Sequence, residues 1–116
     1  MKRLIALFTA TLSLSVIAAE SEYLNWDAYA ELPDALGVAG PFAGTHNDAL
    51  IVAGGANFAL PVWDNDKVWH DAIHVLVNEC TNQVWKTGGQ LPRATAYGGA
   101  VSTPEGVLCI GGNDST

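Results

Sequence analysis

Basic residues are scarce in this sequence. Five lysines and arginines stand against twelve aspartates and glutamates over 116 residues, for a formal net charge of −7. A chain this acidic repels phosphate backbones and anionic lipid headgroups, which argues against nucleic-acid binding and electrostatic membrane docking. Cysteine is scarcer: Cys80 and Cys109 make no CxxC motif and neither clusters with histidine, so no metal site is expected. Long apolar stretches are also missing. The longest, Leu4 to Ile17, is 14 residues, against roughly 18 to 20 for a helix that crosses a bilayer. Beyond it no segment reads as a helix, and short β-type runs are punctuated by 12 glycines and 5 prolines.

The short apolar run has the flanks of an export leader. Lys2 and Arg3 precede it, and the small residues Ala18 and Ala19 follow it before Glu20. Cleavage after residue 19 would remove two basic residues and no acidic one, so the mature chain is more acidic still. The expected location is periplasmic or secreted, without membrane contact after cleavage. In that oxidising setting a Cys80–Cys109 disulfide is open. Cys109 lies in the apolar run Val107 to Ile110, where a buried thiol acting as a small hydrophobe is expected.

What the chain does have is an internal repeat. Trp26 is followed by Leu32-Pro33 and Trp85 by Leu91-Pro92 at the same internal spacing, 59 residues apart. Downstream of each LP comes an apolar run ending in two glycines, Leu50 to Gly55 and Val107 to Gly112, 57 apart. That period is near the ~50 residues of the longest common repeat units.

One unit reads as four short strands. The first spans about Val38 to Thr45, and the polar turn His46-Asn47-Asp48 leads to the second, Ala49 to Ala53. The third is Val68 to Val77, with Trp69, Ile73, Val75 and Val77 on one face and Asp71 interrupting it. The fourth, about Gln83 to Thr87, is centred on Trp85. In the second unit Thr103-Pro104-Glu105-Gly106 has the chemistry of a tight turn.

The order LP, double glycine, Trp69 with Asp71, then Trp85 resembles the kelch signature, which implies an all-β fold, the kelch-type β-propeller, and no particular activity. More specific is the stretch GPFAGTHNDALIVAGGANF from Gly40 to Phe58, continuing to Trp63, Lys67-Val68-Trp69-His70-Asp71 and Ile73. It resembles the exported sialic acid mutarotases, the N-acetylneuraminate epimerase family, and their cyclically permuted relatives, over about residues 24 to 114. The resemblance implies a six-bladed propeller that interconverts the α and β anomers of N-acetylneuraminate, with that sugar as small-molecule partner and with no cofactor or metal.

Six units would need about 340 residues at this spacing. The chain is therefore expected to be an N-terminal fragment: a signal peptide over 1–19, then a partial propeller over 20–116, inactive alone. Blade 1 is expected at about 34–88 and the start of blade 2 at about 91–116, with an orphan strand around Trp26 and the tryptophans filling the wedges between blades.

Within that frame, substrate sits at one mouth of the central channel, reached by the loops after the double glycines and before the innermost strands. Asn57 and Phe58 follow the first double glycine and Asn113 the second. An amide suits sugar hydroxyls and a ring suits an apolar sugar face; equally, the asparagines can satisfy turn backbone and Phe58 can serve packing. Arg93, the one arginine of the mature chain, follows Leu91-Pro92 and is a candidate for the sugar carboxylate, or else a tie between blades. His46 and Asp48 are expected in a solvent-facing turn. His70 and His74 alternate on one strand face without a third ligand nearby, and Asp71 is expected to accept turn hydrogen bonds. The catalytic acid and base stay unassigned, since they are expected in later blades.

The alternative is a non-catalytic kelch module that binds carbohydrate or protein; the AGGANF wording favours the isomerase. A copper oxidase of the propeller type would need Tyr, Cys and His grouped at a metal, and Tyr97 and Cys109 have no histidine beside them.

Overall fold

The computed structural model describes residues 24–116, so the leader read over residues 1–19 lies outside the described residues. Eight strands follow in chain order: β1 (Phe42–His46), β2 (Ala49–Ala53), β3 (Ala56–Phe58), β4 (Lys67–Trp69), β5 (Ala72–Glu79), β6 (Asn82–Gln90), β7 (Gly99–Thr103) and β8 (Gly106–Ile110). Strands β1, β2, β5 and β6 form one antiparallel four-stranded sheet in that order, the complete blade. Strands β7 and β8 pair as the start of a second.

Local chemistry sets the turns. Asn47 and Asp48 both take left-handed backbone, φ +48 and +58, between the paired residues His46 and Ala49. That is a two-residue hairpin turn matching the strand twist, and Asn and Asp tolerate it better than other side chains. In the second hairpin Thr103 Oγ1 donates to the Gly106 carbonyl and accepts from the Glu105 N–H.

The third strand departs from expectation. Instead of one run from Val68 to Val77 there are two strands, β4 and β5, broken at His70-Asp71. The backbone changes partners there: His70 N–H donates to Gly55 O and Asp71 O accepts from Leu91 N–H, both outside the sheet. β4 turns away from the blade to pair with β3, a strand the sequence pattern did not indicate. The first strand also begins later, at Phe42, because Ala39 bridges to Ala56 and Gly40 has φ +59. The fourth runs on to Gln90 through an irregularity opposite Ile73 and His74, which absorbs Gly88. The orphan strand expected at Trp26 is absent: residues 24–32 form no regular structure, and Trp26 is 87% exposed. The stretch expected to be free of helix holds a single 3-10 turn, Val62–Asp64.

The second hairpin lies along β1. Thr45 N–H donates to Ser102 Oγ at 2.8 Å, and the Val107 methyls occupy the space left beside Gly44. Phe42, buried, fills the wedge here, its ring lying where a Cβ on Gly98 would stand and pressing within 3.3 Å of where one on Gly112 would be. Of the tryptophans, Trp69 meets Tyr97 of the second unit edge to face, Trp85 sends its indole N–H to Ala30 O, and Trp63 is 84% exposed. Cys109 is exposed rather than buried, and unpaired like Cys80. It borders an apolar recess with Phe42, Ile51 and Val107, and desolvation there pushes its thiol pKa above the ordinary value.

Candidate functional site

The double glycine at the end of β2 organises one end of the blade. Gly54 and Gly55 have φ +67 and +100, and Gly111 and Gly112 repeat this as +68 and +108. A Cβ on Gly54 would run into the Thr95 carbonyl, and one on Gly55 into Val38. In place of side chains, backbone meets backbone. Gly55 N–H donates to Thr95 O at 2.9 Å and Thr95 N–H to His70 O at 3.2 Å, which stitches the β2 end, the β5 start and the 91–98 connection together.

Asn57, on β3, is engaged on every side. Its Nδ2 donates to Gly37 O at 2.8 Å and to Asp34 Oδ1 at 3.3 Å, and its Oδ1 stands 2.8 Å from His70 Nε2. Because the Gly37 carbonyl can only accept, the amide orientation is fixed with Oδ1 toward the imidazole. His70 Nε2 therefore carries the proton and donates. Asn57 thus ties the segment before β1 to the strand pair β3–β4, while His74 packs edge-on against Trp85, 6.3 Å between centroids.

Phe58 pairs in register with Lys67 across β3–β4. The Lys67 ammonium stands 5.5 Å from the Phe58 ring centroid, 5.4 Å from that of Trp69 and 5.0 Å from that of Tyr97. Its Nζ also donates to Tyr97 Oη at 3.4 Å, and the Trp69 and Tyr97 rings meet edge to face at 5.8 Å. A cleft of about 370 Å³ lies beside this group, lined by Leu36, Val38, Ala56, Asn57, Phe58 and Tyr97. Sequence reasoning singled out Phe58 as a site residue; it placed Lys67 and Trp69 in the family stretch and Tyr97 in the oxidase comparison, and assigned none of the three to the site. The available signal was the alternation of Lys67 and Trp69 on β4.

Arg93 reaches Asp114, its Nη1 donating to Oδ2 at 2.7 Å, with the guanidinium side chain 74% exposed. The other carboxylate oxygen accepts from the Thr116 hydroxyl at 2.7 Å and the Thr116 N–H at 3.1 Å. These bonds, the Thr116 hydroxyl foremost and Arg93 next, lower the Asp114 pKa to about 2. Asn113 pairs its backbone with Ala96 in both directions, at 2.7 and 2.9 Å, and is exposed. Its bridge repeats that of Ala56 with Ala39, so Asn113 stands in the place of Ala56 and not of Asn57.

His46 and Asp48 lie at the opposite end, beside a wider hollow of about 940 Å³ among the hairpin turns that Tyr29, Asn78 and Pro104 also border. Among the described residues no three of His, Cys, Asp and Glu converge as a metal-holding group.

One four-stranded antiparallel blade followed by the first hairpin of the next defines a partial kelch-type β-propeller. The solved structure described as "Structure of YjhT", a kelch β-propeller, superposes with a TM-score of 0.68 at 31% identity, covering 78% of this chain and 28% of that one. The family model for N-acetylneuraminate epimerase matches residues 6–116, and the chain belongs to that family. The N-acetylneuraminate epimerase of Brucella suis is 36% identical over 107 residues, covering 78% of this chain and 26% of the relative. That of Vibrio cholerae is 40% identical over 86 residues, covering 68% and 22%. The chain thus spans about a quarter of the length of the curated relatives it matches.

Proposed function

We propose that this chain is the N-terminal part of an exported sialic acid mutarotase, a six-bladed ring that interconverts the α and β anomers of N-acetylneuraminate. The observation that carries the reading is the family match over residues 6–116, which includes both double glycines and the cleft beside them.

The reaction opens and recloses a hemiketal ring. A base takes the proton of the anomeric hydroxyl, the bond from the anomeric carbon to the ring oxygen breaks, and an acid protonates that oxygen. Reclosure on the other face of the resulting ketone gives the other anomer. This segment supplies binding surface: Phe58 and Tyr97 line the cleft with aromatic rings, and Asn57 shapes its wall through Gly37 and Asp34. The acid and base come from the later blades, and the segment alone turns over no substrate.

Freshly released α-N-acetylneuraminate followed by proton NMR tests the reading. The complete ring accelerates its conversion to the β anomer, and residues 20–116 alone do not. A complete ring that leaves the spontaneous rate unchanged would overturn the proposal. Export is tested separately, by N-terminal sequencing of protein recovered from the periplasm or medium; a chain still starting at Met1 there contradicts cleavage after residue 19.

A further inference from the structure

The described part of the chain has three lysine or arginine side chains, and two are neutralised. Lys86 pairs with Glu79, and Arg93 with Asp114. Lys67 has no carboxylate partner among the described residues. It stands instead over Phe58, Trp69 and Tyr97, with Tyr97 Oη at 3.4 Å. Ring faces attract an ammonium without taking its N–H groups, so the charge is held in place while donors stay free. In a chain of net charge −7, an unpaired cation on β4 beside a cleft is a specific point of attraction for anions.

Tyr97 adds an independent observation. Its φ of +61 lies in the left-handed region, where bulky side chains are strained. The matching residue of the first unit, 57 positions earlier, is Gly40 at φ +59. The first unit meets this left-handed backbone with glycine, and the second holds a tyrosine there against its conformational preference. Such strain persists where the side chain has a use, and this ring both holds Lys67 and lines the cleft.

We infer that Lys67, fixed over Phe58, Trp69 and Tyr97, is an anion subsite at the rim of the cleft that Phe58 and Tyr97 line, and receives the carboxylate of an acidic sugar, with the Tyr97 hydroxyl as a second donor. The inference rests on the sialic acid reading above and names the contact that would distinguish such a sugar from a neutral one. Arg93 is the competing cation, and its charge is matched by Asp114.

The test is titration of the complete ring with N-acetylneuraminate and with its methyl ester, followed by tryptophan fluorescence. Wild type should prefer the acid. Lys67→Met keeps the aliphatic stem and should lower affinity for the acid about tenfold or more, with the ester unaffected. Lys67→Arg should retain the preference for the acid, which a role in packing alone would not require. Thermal melting of each variant separates lost binding from lost folding. If Lys67→Met keeps the preference and Arg93→Gln loses it, the subsite is overturned and the sialic acid reading stands. If wild type binds acid and ester equally, the subsite is likewise overturned. If wild type binds neither, the sialic acid reading fails and the subsite with it.

Discussion

Tyr97 repeats the backbone of Gly40, φ +61 against +59, and donates its N–H to the Gly40 carbonyl at 2.7 Å. The two positions are 57 residues apart and in direct contact, since a Cβ on Gly40 would overlap the Tyr97 ring. One unit of the repeat thus accommodates the side chain that the next unit projects back onto it. The aromatic group around Lys67 depends on this accommodation.

Gly40→Ala should therefore destabilise the complete ring by about 1–3 kcal/mol, from left-handed backbone on a residue with a Cβ and from collision with the ring. Chemical denaturation measures it. The double variant Gly40→Ala/Tyr97→Gly should recover part of the loss, because the two side chains no longer meet. Additive losses would show that the overlap is relieved at no cost by ring movement.

Asn57→Ala removes the link between Gly37 O, Asp34 and His70 and should cost about 1–3 kcal/mol, since half-buried partners lose their hydrogen bonds. Nitrogen-15 shifts of the His70 ring should report the Nε2–H tautomer in wild type and a mixture in the variant. A mixture already present in wild type would contradict the assigned amide orientation.

Asp114 has a folded pKa lowered to about 2, so its contacts add stability above the ordinary carboxylate value and lose it as pH falls toward 2. A carbon-13 titration should show Asp114 ionised at pH 3. Thr116→Val and Arg93→Gln should each raise this pKa, since each removes a hydrogen bond to the carboxylate. A variant that leaves the pKa unchanged would remove that contact as a cause.

Residues 20–116 expressed alone should show no sharp thermal transition. The hydrophobic core among the described residues is Phe42, Ala53, Ala56, Leu76 and Ala96, with no large side chain fully enclosed. Repeat units of this kind bury their faces on neighbours, and about three are needed for stability. A cooperative melt with a heat-capacity step would refute this.

The sequence alone determined the repeat, the β2 strand, the turn at Asn47-Asp48 and the sharp end of β2 at Gly54-Gly55. Each depends on chemistry acting over a few residues: which side chains tolerate left-handed backbone, and which alternate along a strand. The wording around Gly54-Gly55 also pointed to the family. Tertiary structure decided the rest. The split between β4 and β5 arises because His70 and Asp71 bond to Gly55 and Leu91 instead of a neighbouring strand. Phe42 takes the wedge because glycines 56 and 70 positions later leave room for its ring. Lys67 meets Tyr97 across 30 residues, and Arg93 meets Asp114 across 21. Partners so far apart come together only once the blade end has folded, since periodicity specifies which face a side chain takes and not what it will find there.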